Sequence, residues 1–194
     1  MSPFPLWAAP STINRSVPVA VLVASGGSLE AERVIETWAV SMPAAAFWVI
    51  ETQDDEIETH RLLQVERSDT RHGPHLVLVG LCGGEALALR LALGGETPIC
   101  GGLLLCRDLG WLPSFEATLN GYKPPKLRFV WQSVDPLSSA EILGSRLRSY
   151  RASGIDAQAI VIPDDVGTSR TNAAAVRASA TYAAELIAVA LAAP

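Results

Sequence analysis

The chain is poor in the residues that mark a disulfide framework, a metal centre or a nucleic-acid surface. Its 194 residues include three cysteines, Cys82, Cys100 and Cys106. They are odd in number and have no C-x-x-C spacing, so neither a set of disulfides nor a structural zinc site is expected, and a reducing, cytoplasmic setting fits best. Lys and Arg total 15 against 20 Asp and Glu, a formal net charge of −5. Clustered positive charge for non-specific binding to nucleic acid is therefore lacking. Charged residues make up only 18% of the chain and hydrophobic ones 49%, the reverse of a disordered composition. No run approaches the ~18 apolar residues of a membrane span. The apolar stretch from Met1 to Pro10 carries three prolines and no basic leader. The Ala- and Leu-rich tail from Ala183 to Pro194 reads as the end of a buried helix. No membrane and no nucleic-acid partner are expected.

What the chain does have is a regular alternation. One compact domain is the default at this length; residues 1–16 show neither a strand nor a helix pattern and read as an N-terminal arm, and 17–194 as the domain. Six short aliphatic runs, Val17 to Ala24, Ala46 to Ile50, His75 to Gly80, Ile99 to Leu105, Leu127 to Gln132 and Ala157 to Ile162, look like strands buried on both faces. Helical segments lie between them: Leu29 to Val40, Asp55 to Gln64, Gly84 to Leu93, a weak one near Ser114 to Leu119, Ser139 to Ser153, and Asn172 to Ala192. This alternation predicts an α/β fold, a three-layer αβα sandwich around a six-stranded, mostly parallel sheet. In such a sheet functional groups collect beyond the C-terminal ends of the strands.

The most specific feature there is Gly80-Leu81-Cys82-Gly83-Gly84, set between an apolar strand and an apolar helix. It has the form of a nucleophile elbow, G-x-S-x-G, with cysteine in the serine place. The glycines suit a sharp turn that leaves no room for side chains, and a helix N-terminus favours a thiolate. The same residues also suit a small buried cysteine in a tight strand-to-helix turn. Neither Gly26-Gly27 nor Gly83-Gly84 completes G-x-G-x-x-G or a phosphate loop with its Lys-Ser/Thr, so no nucleotide or other cofactor is expected.

Together with the early Gly26-Gly27 and the late Val130-Trp131-Gln132-Ser133-Val134-Asp135-Pro136, the elbow resembles a compact α/β-hydrolase. The chain is similar in length and layout to the serine-hydrolase-like proteins of the retinoblastoma-binding-protein-9 and YdeN-like group, over roughly residues 17–193. The resemblance implies Cys82 as nucleophile, Asp135 as the acid, and oxyanion donors from Gly83 and from the Gly26-Gly27 loop, with a small acyl compound as ligand. Asp135-Pro136 also reads as a helix-start turn and Gly26-Gly27 as a plain loop.

The departure from the family is the imidazole. The loop after the last strand, Pro163 to Arg170, contains no histidine. His60, His72 and His75 all precede the elbow, and His75 opens the strand whose far end carries Cys82, on the order of 20 Å away. Asp164 and Asp165 follow the last strand, but a carboxylate of ordinary pKa is a weak base at neutral pH. The sequence therefore leads to a divergent hydrolase with an incomplete triad and weak or no ester hydrolysis. An active thiol-dependent esterase, thioesterase or acyltransferase is the alternative.

Overall fold

The computed structural model describes residues 4–7, 19–24, 28–43, 45–51, 76–94, 99–107, 112, 124–164 and 172–192. The strands are β1 (Phe4–Trp7), β2 (Val19–Ala24), β3 (Ala46–Glu51), β4 (Leu76–Leu81), β5 (Ile99–Cys106), β6 (Lys126–Ser133) and β7 (Ala157–Pro163). The helices are α1 (Ser28–Ser41), α2 (Glu85–Leu93), α3 (Pro136–Ala152) and α4 (Ala173–Ala192). The sheet runs β1-β3-β2-β4-β5-β6-β7. All six expected strands are present and mutually parallel. The expected helices over Asp55 to Gln64 and Ser114 to Leu119 lie outside the described residues.

A seventh strand was not visible in the sequence pattern. Phe4–Trp7, inside the expected arm, pairs antiparallel with β3 at the sheet margin, with an irregularity between Pro5 and Trp7. Four residues with a proline among them leave no alternation to read, and an edge is where a sheet tolerates proline.

Strand side chains alternate between two cores, which explains why the runs are hydrophobic throughout rather than every second residue. Leu22, Val79 and Leu105 face α1 and α4. Val23, Leu78 and Leu104 face α2 and α3. Helix α4 is long and apolar enough to pass a membrane-span test. It instead packs Ala175, Ala183, Leu186 and Ile187 into the first of these cores. The buried Trp38 indole N–H donates to Ser179 Oγ at 3.2 Å, tying α1 to α4.

The helix boundaries follow local chemistry. Helix α3 starts three residues earlier than the expected Ser139, because Pro136 occupies its first turn and Asp135 caps it. It ends at Ser153-Gly154, where Gly154 takes a φ of 83°. Asn172 caps α4 through Oδ1, which accepts the Ala175 N–H at 2.8 Å, while its own N–H donates to Gln132 Oε1 at 2.7 Å. The C-terminal end of β6 is thereby fastened to the start of α4.

At the opposite sheet edge Arg128 is fully buried. Its guanidinium donates to Glu185 and Asp156, and to the carbonyls of Leu127 and Asp156 at 3.0 and 2.9 Å. Burial alone would disfavour its charge, but these partners hold it more firmly protonated than usual. The hydrogen bond from Arg128 in turn holds Asp156 down to about 2, with Lys126 adding to the effect. A carboxyl group depressed in the folded state stabilises above its unfolded pKa and stops doing so as pH falls through the folded one. The wild-type protein is therefore expected to melt above Asp156→Asn at pH 6, the difference shrinking as pH falls from about 4 towards 2. Thermal unfolding followed by circular dichroism checks this, and a pH-independent difference would refute it.

Candidate functional site

The turn after β4 is built by steric demand. A Cβ on Gly80 would lie 2.5 Å from Glu85 Cα, and one on Gly84 would collide with the Val23 carbonyl of β2. Both glycines of the pattern are thus required, so that α2 can start directly against the sheet. Cys82 has a φ of 52° and Gly83 one of 90°. The Gly84 N–H closes the turn on the Leu81 carbonyl at 3.0 Å. Positive φ at both central residues is the signature of a tight primed turn, and it is uncommon for a residue that carries a side chain.

The surroundings of the Cys82 sulfur differ from the expected thiolate site. The half-buried thiol is pushed up to about 12, first by burial, then by the carboxylates of Glu30 and Glu85 and a hydrogen bond to Glu30, with Arg107 pulling the other way. A neutral thiol donating to Glu30 is the form this environment favours. The helix N-terminus is outweighed because Glu85, in the first turn of α2, brings its own negative charge to it. Burial raises the Glu85 carboxyl, while hydrogen bonds from its own N–H and from the Gly83 N–H partly counter the rise. The Gly83 N–H, expected as an oxyanion donor, thus lies beside a side-chain carboxylate.

Asp135 is exposed, and its carboxylate accepts the Ser138 N–H at 3.3 Å as the cap of α3. Its own N–H donates to Ser133 Oγ. It follows β6, two strands from β4 in the sheet, or about 10 Å across. Gly26 and Gly27 lie outside the described residues, as do the three histidines. Between β5 and β7, Arg107 forms an ion pair with the buried Asp164, whose N–H donates to the Ser133 carbonyl at 2.8 Å. No cluster that could hold a metal ion occurs among the described residues.

The residues brought together at the elbow are thus Cys82, Gly83, Glu85, Glu30 and Arg107. Sequence reasoning placed the first two there and missed both glutamates. Glu85, three residues after Cys82, was within reach of inspection. Glu30 is remote in sequence and arrives only because β2 lies beside β4 and α1 begins just beyond it.

The parallel sheet with its strand order, helices on both faces and a glycine-packed strand-to-helix turn define an α/β-hydrolase fold. Among solved structures the chain is similar to esterase PE8, with a TM-score of 0.64 and 16% identity over 96% of this chain and 100% of that one. It is similar also to an esterase of the bacterial hormone-sensitive lipase family, at a TM-score of 0.63 and 15% identity over 91% of this chain and 78% of that one. A third, the protein YahD solved with malic acid, gives a TM-score of 0.63 and 13% identity over 95% and 99% of the two chains. No protein-family model matches the sequence, and no curated protein matches it either.

Proposed function

We propose that this is a compact, divergent α/β-hydrolase-fold protein, close in layout to the serine-hydrolase-like group named above, whose triad positions hold Cys82 and Asp135 but no imidazole. In this reading it binds a small acyl compound and turns esters over weakly or not at all. The full coverage of esterase PE8 supports the compact layout. Three cysteines outside any disulfide suit a reducing compartment, and we place the protein in the cytoplasm.

The observation that carries the reading is the pair of carboxylates at the elbow. Acyl transfer needs a nucleophilic sulfur, a donor facing the developing oxyanion, and a base to activate water for release. Burial first, and then the carboxylates of Glu30 and Glu85, keep Cys82 a neutral thiol. Those carboxylates also set negative charge near the sulfur, which opposes the negative charge that develops in acyl transfer. General base catalysis of release, worth typically 10²–10⁴-fold, has no histidine after the last strand to perform it.

A specific contact favours a second reading, a thiol-dependent acyl hydrolase. The Glu30 carboxylate interacts with the Cys82 thiol and is the group there that could serve as its base. Sulfur would attack the carbonyl carbon as its proton passes to Glu30. The carbon–oxygen bond would then break, the alkoxide recovering that proton, and water would hydrolyse the thioester. Steady-state hydrolysis of p-nitrophenyl acetate separates the two. Wild type and Cys82→Ala are expected to agree within about twofold, since a working nucleophile contributes far more than that. A steady-state rate that disappears with Cys82 would overturn the first reading and establish the second.

A further inference from the structure

A cavity of about 480 Å³ opens between α1 and α4, lined by Glu30, Arg33, Val34, Thr37, Val176 and Arg177, with Ala173 at its end. Its size falls in the range of small-molecule sites, about 300–1,000 Å³. The lining is periodic for a simple reason. Residues 30, 33, 34 and 37 share one face of α1, and 173, 176 and 177 one face of α4.

Both helices follow strands of a parallel sheet, so their first turns lie at the same edge, beside the elbow. Glu30 and Ala173 therefore form the end of the cavity nearest Cys82. Arg33, Arg177 and Thr37 lie further along, Thr37 about 10 Å from Glu30 at 1.5 Å per residue. Val34 and Val176 are buried and make an apolar floor. The Thr37 hydroxyl proton is committed to the Arg33 carbonyl at 3.1 Å, so the positive character of this end comes from the two guanidiniums. Both arginines are exposed. A bound anion in the cavity could pair with both guanidiniums.

We infer that this cavity binds a small amphiphile, an oxyanion of carboxylate or phosphate type seated between Arg33 and Arg177 with a short aliphatic portion along Val34 and Val176 towards Glu30. The guanidinium fork matches either oxyanion. Negative Glu30 disfavours a charged head at its end of the cavity, which orients the ligand with its uncharged end towards Glu30. The inference does not depend on what Cys82 does.

Isothermal titration calorimetry on the full chain, with hexyl phosphate and hexanoate as probes, tests it. Saturable binding of at least one probe is expected, weakened tenfold or more in Arg33→Gln/Arg177→Gln and weakened by added salt. Glu30→Gln should tighten it a fewfold. Binding of hexyl phosphate alone would assign the head as phosphate, and binding of both a generic oxyanion site. The inference is overturned if neither probe saturates, if the double arginine variant binds unchanged while its circular dichroism melt matches the wild type, or if inorganic phosphate or hexanol binds as tightly as the amphiphile.

Discussion

Cys82 is expected to react with iodoacetamide at pH 8 about a hundredfold more slowly than an ordinary exposed cysteine. At that pH a thiol held near 12 carries about three to four orders of magnitude less thiolate than a free cysteine of pKa about 8.5, which is partly ionised. The more basic thiolate is intrinsically more nucleophilic and returns one to two of those orders, since reactivity rises with about 0.4–0.5 of the pKa change. The sign follows from the acid form being neutral: a raised pKa keeps the sulfur protonated until high pH, so the alkylation rate should still be climbing at pH 10. Because burial is the first cause and the carboxylates come second, Glu30→Gln/Glu85→Gln should restore only part of the loss, on the order of tenfold. Peptide mapping after timed alkylation separates Cys82 from Cys100 and Cys106. An inflection in the Cys82 profile below pH 9 would mean that the helix N-terminus, and not the glutamates, governs the site.

Removing the Arg128 side chain should be the most damaging change to stability. Arg128→Ala strips Glu185 and Asp156 of their main partner, leaves the carbonyls of Leu127 and Asp156 without its donors, and empties the space over the Tyr182 ring, whose centroid lies 5.8 Å from the guanidinium carbon. Breaking a buried charge network from one side costs about 3–5 kcal/mol. Glu185 and Asp156 are partly exposed and water will solvate them, which argues for the lower half of that range. At about 2–4 °C per kcal/mol for a chain of this size, the melting temperature should fall by roughly 10 °C. Arg128→Met restores much of the volume without the charge, so recovery of most of the loss by methionine would show that packing, not the ion network, is what matters. A melt within about 2 °C of wild type for the alanine variant would contradict the account altogether.

How much of this could be read beforehand depended on whether the cause was local. The six parallel strands were legible because each is a short, mostly apolar run, and the sandwich has a core on each side to receive them. Strand β1 was not, since four residues with a proline among them leave no alternation to read. Gly80 and Gly84 were legible as a pair because the turn they permit has a fixed spacing, and the collisions at both positions bear out that reasoning. The state of the thiol was not. Motif reasoning counted the helix N-terminus and omitted the charges that folding brings to it, one from α1 and one from the first turn of α2. Asp135-Pro136 shows the reverse lesson: a phrase that carries an acid in hydrolases is also a sound helix start, and here the carboxylate is engaged as a cap.

The backbone at position 82 has a consequence for mutational change. A side chain at φ 52° costs roughly 1–2 kcal/mol relative to glycine, which occupies that region freely. Cysteine codons lie a single nucleotide from glycine codons, so a change that relaxes the turn is always within reach. They lie equally a single nucleotide from serine codons, and therefore from the residue that esterases place on this turn. Position 82 thus stands at a branch, with one substitution leading towards a more stable scaffold without a reactive group and the other towards a hydroxyl nucleophile on a turn already shaped to present it.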